Sequence, residues 1–161
     1  VATDGDGALA AVADGVDALL LDRQMPGISG DEVLGSLRAR GNDVPVALVT
    51  AARPDGDALT LGFDAYLTKP VDRQAVFDAV SMLLALPSDD DQARRCIRLA
   101  AKLALVDDSR RCPGEQVAEL SGAFAESARA LDGSVDGLLA DDRLPDLPPS
   151  YGERVESSVD G

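Results

Sequence analysis

Ala18-Leu19-Leu20-Leu21-Asp22-Arg23-Gln24-Met25-Pro26-Gly27-Ile28-Ser29-Gly30 decides how this chain folds. A short apolar run closed by a polar residue has the length of a buried strand, and Pro26 and Gly27 turn the chain directly after it. Residues 17–22 therefore read as a strand that delivers the Asp22 carboxylate to the rim of a sheet. Two later stretches repeat the pattern. Pro45-Val46-Ala47-Leu48-Val49-Thr50 and Ala65-Tyr66-Leu67-Thr68-Lys69-Pro70 are short apolar strands ending in polar residues that reach the same rim. An Asp, a Thr and a Lys at three successive strand ends form a phosphoryl-transfer constellation.

The segments between these strands carry helical signals. Val1-Ala2-Thr3 reads as the tail of a strand, and Ala8 to Ala13 is an Ala-rich helix. Gly30 to Arg40 is an amphipathic helix with Val33, Leu34 and Leu37 on one face and Gly41 as its stop. Ala58 to Leu61 fits a short helix. Asp72 caps a helix running to about Leu84, with Val76, Phe77, Val80, Leu83 and Leu84 as its buried stripe. Strands alternating with helices at this spacing imply an α/β fold, a parallel sheet covered on both faces.

The pattern breaks at Leu86-Pro87-Ser88-Asp89-Asp90-Asp91, and no strand signal follows. Ser88 or Asp89 caps a helix over 92–106, and Cys112-Pro113-Gly114 is a turn. A second helix then carries Val117, Leu120, Phe124, Ala128, Leu131, Val135 and Leu138 at three- and four-residue spacing, which predicts a helical hairpin or coiled coil. Gly122, Gly133 and Gly137 each weaken it by about 1 kcal/mol relative to Ala, so it depends on a partner surface. The end, Pro145 to Gly161, is rich in Pro, Ser and acid and reads as disordered. The expected division is 1–86, 87–142 and an acidic tail, 143–161.

Composition narrows the setting. The chain has 161 residues, 45% of them apolar and 3% aromatic, so its core is built mainly from Ala, Val and Leu. The net charge is −14, and Lys69 and Lys102 are the two lysines among 15 basic residues. Such a surface repels itself at low salt and suits a salt-rich cytoplasm, where charge is screened over a few ångströms. The absence of His removes the commonest general base and metal ligand, and Cys96 and Cys112 without it cannot build an ordinary zinc site. Both cysteines are expected as free thiols in a reducing compartment. The apolar runs are too short to span a bilayer and no signal segment opens the chain, so a cytoplasmic protein is expected.

With Asp22, Thr50 and Lys69 at strand ends, residues 1 to about 86 resemble a response-regulator receiver domain. Asp22-x-x-Met25-Pro26-x-x-x-Gly30, Thr50 and Tyr66-x-x-Lys69-Pro70 follow one another in that family's order and spacing. The resemblance implies a flavodoxin-like parallel sheet in which Asp22 is the phosphoacceptor, taking a phosphoryl group from a sensor histidine kinase to form an acyl phosphate. Lys69 would neutralise the phosphoryl oxygens, Thr50 would hydrogen-bond one of them, and Tyr66 would be the switch aromatic that passes the change to the surface around residues 55–70. Lys69-Pro70 would be a cis peptide. Magnesium would bind Asp22 and the backbone carbonyl of Gln24, together with an acidic pair that the family carries at the end of its first strand. That pair is absent from this chain, which reads as a receiver lacking its first strand and helix. Asp4 and Asp6 fall on the wrong strand to replace it. The chain opens with Val instead of Met, in keeping with a fragment or a misplaced start. For Arg23, Arg53 and Arg73 a solvated surface position is expected.

Residues 92 to about 142, with Leu99-Ala100-Ala101-Lys102-Leu103-Ala104-Leu105, resemble more loosely the HalX domain that follows receivers in haloarchaeal regulators. This implies a role in transcription. Arg94, Arg98 and Lys102 lie on one helical face and suggest a phosphate-contacting stripe. Yet residues 87–161 carry 9 basic and 16 acidic residues, a net −7, whereas DNA-binding modules are usually basic. Homodimerisation or another protein contact through the apolar stripe is at least as well supported as DNA contact. Two other readings compete. One is a degenerate receiver acting as a phosphorylation-independent interaction module. The other is an aspartate-nucleophile phosphatase, which would need a second Asp where Gln24 stands. The receiver reading makes the chain no enzyme beyond its own phosphorylation.

Overall fold

Leu19–Asp22 (β1), Val46–Thr50 (β2) and Ala65–Thr68 (β3) form a parallel three-stranded sheet in the order β1-β2-β3. The fold comes from a computed structural model describing residues 1–51, 56–87, 90–106 and 113–131. Leu19 to Asp22 lie opposite Val46 to Val49, and Ala47 to Thr50 opposite Ala65 to Thr68. This register brings all three carboxyl ends to one edge. The central strand is apolar on both faces, with Val46, Ala47 and Leu48 fully buried. Parallel strands need long crossovers, and Gly30–Ala39 (α2) and Gly56–Thr60 (α3) lie in the two connections.

Helix starts are set by local chemistry. In α1 (Gly5–Ala13) the Asp4 carboxylate accepts from the Gly7 N–H at 2.8 Å. Residues 1–3 are not a strand, and Asp4 serves as a helix cap, which corrects the sequence reading of both. Ser29 caps α2 in a reciprocal box: its hydroxyl accepts from the Glu32 N–H at 3.3 Å, and Glu32 accepts from the Ser29 N–H at 2.9 Å. The expected face of Val33, Leu34 and Leu37 is buried, and Gly41, at φ 70°, ends the helix.

The opposite end of the sheet is tied by one arginine. Arg38, near the end of α2, donates to the carbonyls of Gly62, Asn42 and Val44, each at 2.9 Å, and to the Asp64 carboxylate at 3.2 Å. Asp64 is fully buried and accepts from the Val46 N–H at 2.8 Å. One side chain thereby fixes the start of β2, the start of β3 and the end of α2.

Arg73–Ala85 forms α4, capped by Asp72, which accepts from the Ala75 N–H at 2.8 Å. Its inward face is narrower than the apolar pattern predicts. Ala79 and Leu83 are buried, whereas Phe77 is 66% and Leu84 58% exposed. Spacing identifies an apolar stripe but not how much of it a neighbour covers.

The chain separates into two compact units, one with the described residues of Val1–Arg53 and Thr60–Leu84, the other with those of Pro54–Leu59 and Ala85–Gly161. In the second, Asp91–Val106 (α5) packs against Gly114–Ala130 (α6). Cys96, Phe124 and Ala128 form its centre, surrounded by Leu99, Ala100, Leu103 and Leu131. Cys96 is a free thiol, as expected, and burial raises its pKa. Asp90 caps α5 through the N–H groups of Gln92 and Ala93. Gln92 reaches Ser127 Oγ at 3.1 Å, and Gln116 donates to the Gly56 carbonyl at 2.9 Å. Val135, Leu138, Cys112, the Ser88 and Asp89 caps and the acidic tail lie outside the described residues. No helix among the described residues is long and apolar enough to cross a membrane.

Candidate functional site

Asp22 ends β1, and its two carboxylate oxygens have separate partners. Oδ1 accepts from the Gln24 N–H at 3.0 Å, and Oδ2 pairs with Lys69 Nζ at 2.5 Å. Burial pushes the Asp22 pKa up, but the Lys69 hydrogen bond, the Gln24 N–H and the charge of Lys69 together bring it below the ordinary 3.8. Asp22 is therefore ionised at neutral pH and a third exposed.

Lys69 is presented by the chain beyond β3. Its N–H bonds to the Thr50 carbonyl at 2.7 Å, and Lys69-Pro70 is a cis peptide, as anticipated. Thr50 is fully buried at the end of β2, one residue beyond the position facing Asp22. The three strand ends thus hold the three expected side chains at one rim, with Asp22 and Lys69 in direct contact.

Gly30 closes the loop after Asp22. Its N–H donates to the Arg23 carbonyl at 3.1 Å, and any Cβ there would run into the Asp22 carbonyl. The close approach of α2 to the strand end is open only to glycine.

Arg23 corrects the sequence reading. It is not a solvated arginine: its side chain is 13% exposed and grips Asp31, in the first turn of α2, through Nε at 2.8 Å and Nη2 at 2.6 Å. This pairing, despite the cost of burial, holds the guanidinium charged well above its ordinary pKa. Nη1 lies 3.5 Å from Tyr66 Oη. Tyr66 in turn leans on Phe63, with ring centroids 5.7 Å apart at 57°. The signal that could have revealed this pair is weak: an Arg beside a strand-end acid, and an Asp eight residues on in a helix start. Arg73 is exposed as expected, and Arg53 lies outside the described residues.

The basic stripe of the second unit is also revised. Arg94 is 9% exposed and so is not offered to a nucleic-acid backbone, while Arg95 is exposed.

Receiver domains typically bind magnesium. A magnesium ion wants close to octahedral oxygen coordination. Here Asp22 is already engaged by Lys69, and no group of three His, Cys, Asp or Glu side chains suited to a metal occurs among the described residues. Asp22 and the Gln24 carbonyl do not by themselves fit such an ion.

Asp22, Thr50 and Lys69 stand together at the carboxyl-end rim of a parallel α/β sheet. The profile of the response regulator receiver domain matches residues 1–81, and the chain belongs to that family. A putative transcriptional regulator of Haloferax volcanii is 42% identical over 103 residues, 64% of this chain and 18% of that protein. The sensory transduction protein RegX3 of Mycobacterium bovis is 42% identical over 95 residues, covering 56% of this chain and 41% of the relative. The transcriptional regulatory protein CpxR of Klebsiella pneumoniae is 33% identical over 129 residues, covering 78% and 55%. The chain thus spans between about a fifth and about half of these relatives. Receiver domains are normally non-catalytic apart from their own phosphorylation.

Proposed function

We propose that this chain is a phosphoaspartate-switched response regulator acting on transcription through its helical part. The observation that carries the reading is the Asp22–Lys69 pair at 2.5 Å across the strand ends, with Thr50 between them in strand order. An Asp22 carboxylate oxygen attacks the phosphorus of a kinase phosphohistidine. The O–P bond forms, the P–N bond breaks and the imidazole leaves with its electron pair. Lys69 balances the charge carried by the phosphoryl oxygens, and the Thr50 hydroxyl accepts the role of their hydrogen-bond donor. Tyr66 passes the rearrangement on.

Residues 87–142 are read as a HalX-like effector, residues 1–86 as the receiver and the cytoplasm as its location. The apolar stripe of α6 is taken up by packing against α5 within the chain, and Arg94 is buried, so a homodimer or DNA contact would have to use other surfaces of the helices. In the full-length protein, a small acyl phosphate in magnesium buffer should label the wild type, and Asp22→Asn should abolish the label. Undiminished labelling of Asp22→Asn refutes the nucleophile. A second reading is a phosphorylation-independent interaction module. Wild-type protein that takes no label but still binds its partner would establish that reading.

A further inference from the structure

We propose that Arg23 is a positioning residue that holds the Tyr66 hydroxyl and links it to both Asp22 and the start of α2. The inference concerns a neighbour of the site and rests, for its consequence in signalling, on the phosphorylation proposed above. Arg23 follows Asp22 directly, and its backbone is fixed on both sides: its N–H donates to the Val49 carbonyl at 3.2 Å, and its carbonyl accepts from Gly30. Its side chain meets Asp31 side-on through Nε and Nη2. A guanidinium is planar, so this bidentate grip sets the direction of the remaining nitrogen. That nitrogen, Nη1, points at Tyr66 Oη. The Phe63 ring supports the other end of Tyr66.

At 3.5 Å the Arg23–Tyr66 contact is at the outer limit of a hydrogen bond, whereas the contacts to Asp31 are short and charge-assisted. The arginine is thus firmly held from α2 and holds the tyrosine lightly. A shift of the strand-end loop at Asp22 carries Arg23 with it and releases Tyr66 before it breaks the Asp31 pair. Lysine could not replace it, because a single ammonium cannot grip Asp31 side-on and reach Tyr66 at the same time.

The test follows Tyr66 in the full chain labelled with 13Cζ-tyrosine in molar KCl. There are two tyrosines, and Tyr151→Phe assigns the signals. Arg23→Ala should displace the Tyr66 resonance by more than its line width. Arg23→Lys should leave it displaced, and Asp31→Asn, which keeps the side-chain size, should move it in the same direction. The exposed Arg73→Ala should leave it in place. A Tyr66 resonance unmoved in Arg23→Ala, or unmoved in Asp31→Asn should Arg23→Ala fail to fold, overturns the proposal. So does an equal displacement in Arg73→Ala. All these spectra are of unphosphorylated protein. A wild type that accepts no phosphoryl group therefore counts against the function proposed above, while the role of Arg23 is decided by the resonances.

Discussion

Asp22 shows how a single carboxylate can be partly buried and still stay ionised. Two donors meet its two oxygens, and one of them carries a charge. Lys69→Met removes a hydrogen bond and a cation while leaving the burial, so the Asp22 titration midpoint should rise. Carboxyl 13C NMR would detect this, and an unchanged midpoint would show that Lys69 does not govern the group. Because the folded pKa lies below the ordinary 3.8, Asp22 contributes stability above that value and loses it as pH falls through the folded value. In Lys69→Met the contribution should disappear at a higher pH than in the wild type. Gly30 is the other sensitive residue. Gly30→Ala forces a methyl group against the Asp22 carbonyl and should cost about 1–3 kcal/mol in urea unfolding, as overpacking does. A neutral result would mean that α2 can shift away from the strand end. The motif around Asp22 was legible in the sequence because its spacing is local. The Arg23–Asp31–Tyr66 contact was not, because Arg23 and Tyr66 are 43 residues apart and meet only once β1 and β3 are aligned on β2.

Among the elements, α2 is fixed at both ends by different chemistry. Its start is set by the Ser29–Glu32 box and its end by the Arg38–Asp64 network. Arg38→Met leaves the fully buried Asp64 carboxylate without its compensating cation, and the expected loss is about 3–5 kcal/mol. Replacing both partners, as Arg38→Met with Asp64→Leu, should recover only part of it, since no charge stays buried but the Val46 N–H and the Gly62, Asn42 and Val44 carbonyls lose their partners. Urea unfolding of the two single variants and the double variant measures the coupling, and additive losses would rule out a mutual role. Helix α4 marks the limit of periodicity. Phe77 and Leu84 belong to the apolar stripe in sequence but face outward, while Ala79, which the stripe omitted, is buried. A helical period reports which residues share a face, and only the neighbouring elements decide where that face is covered.

For the molecule as a whole, charge is the dominant property. A net −14 on 161 residues disfavours compaction when unscreened. The apparent Tm should rise substantially from low-salt buffer to molar KCl, measured by circular dichroism. A melting temperature indifferent to salt would remove the case for a salt-adapted surface. The sequence by itself determined the alternation of strands and helices, the three strand ends and the break near Pro87, because each depends on short-range pattern and turn chemistry. It also indicated the hairpin partnership that α5 and α6 adopt. Only the tertiary structure decided that Arg94 is buried, that Arg23 grips Asp31, that Arg38 ties three segment ends together and that residues 1–3 form no strand. Those outcomes depend on which surfaces meet across the sheet and between helices, and hydrogen bonds between residues distant in sequence leave no periodic trace in it.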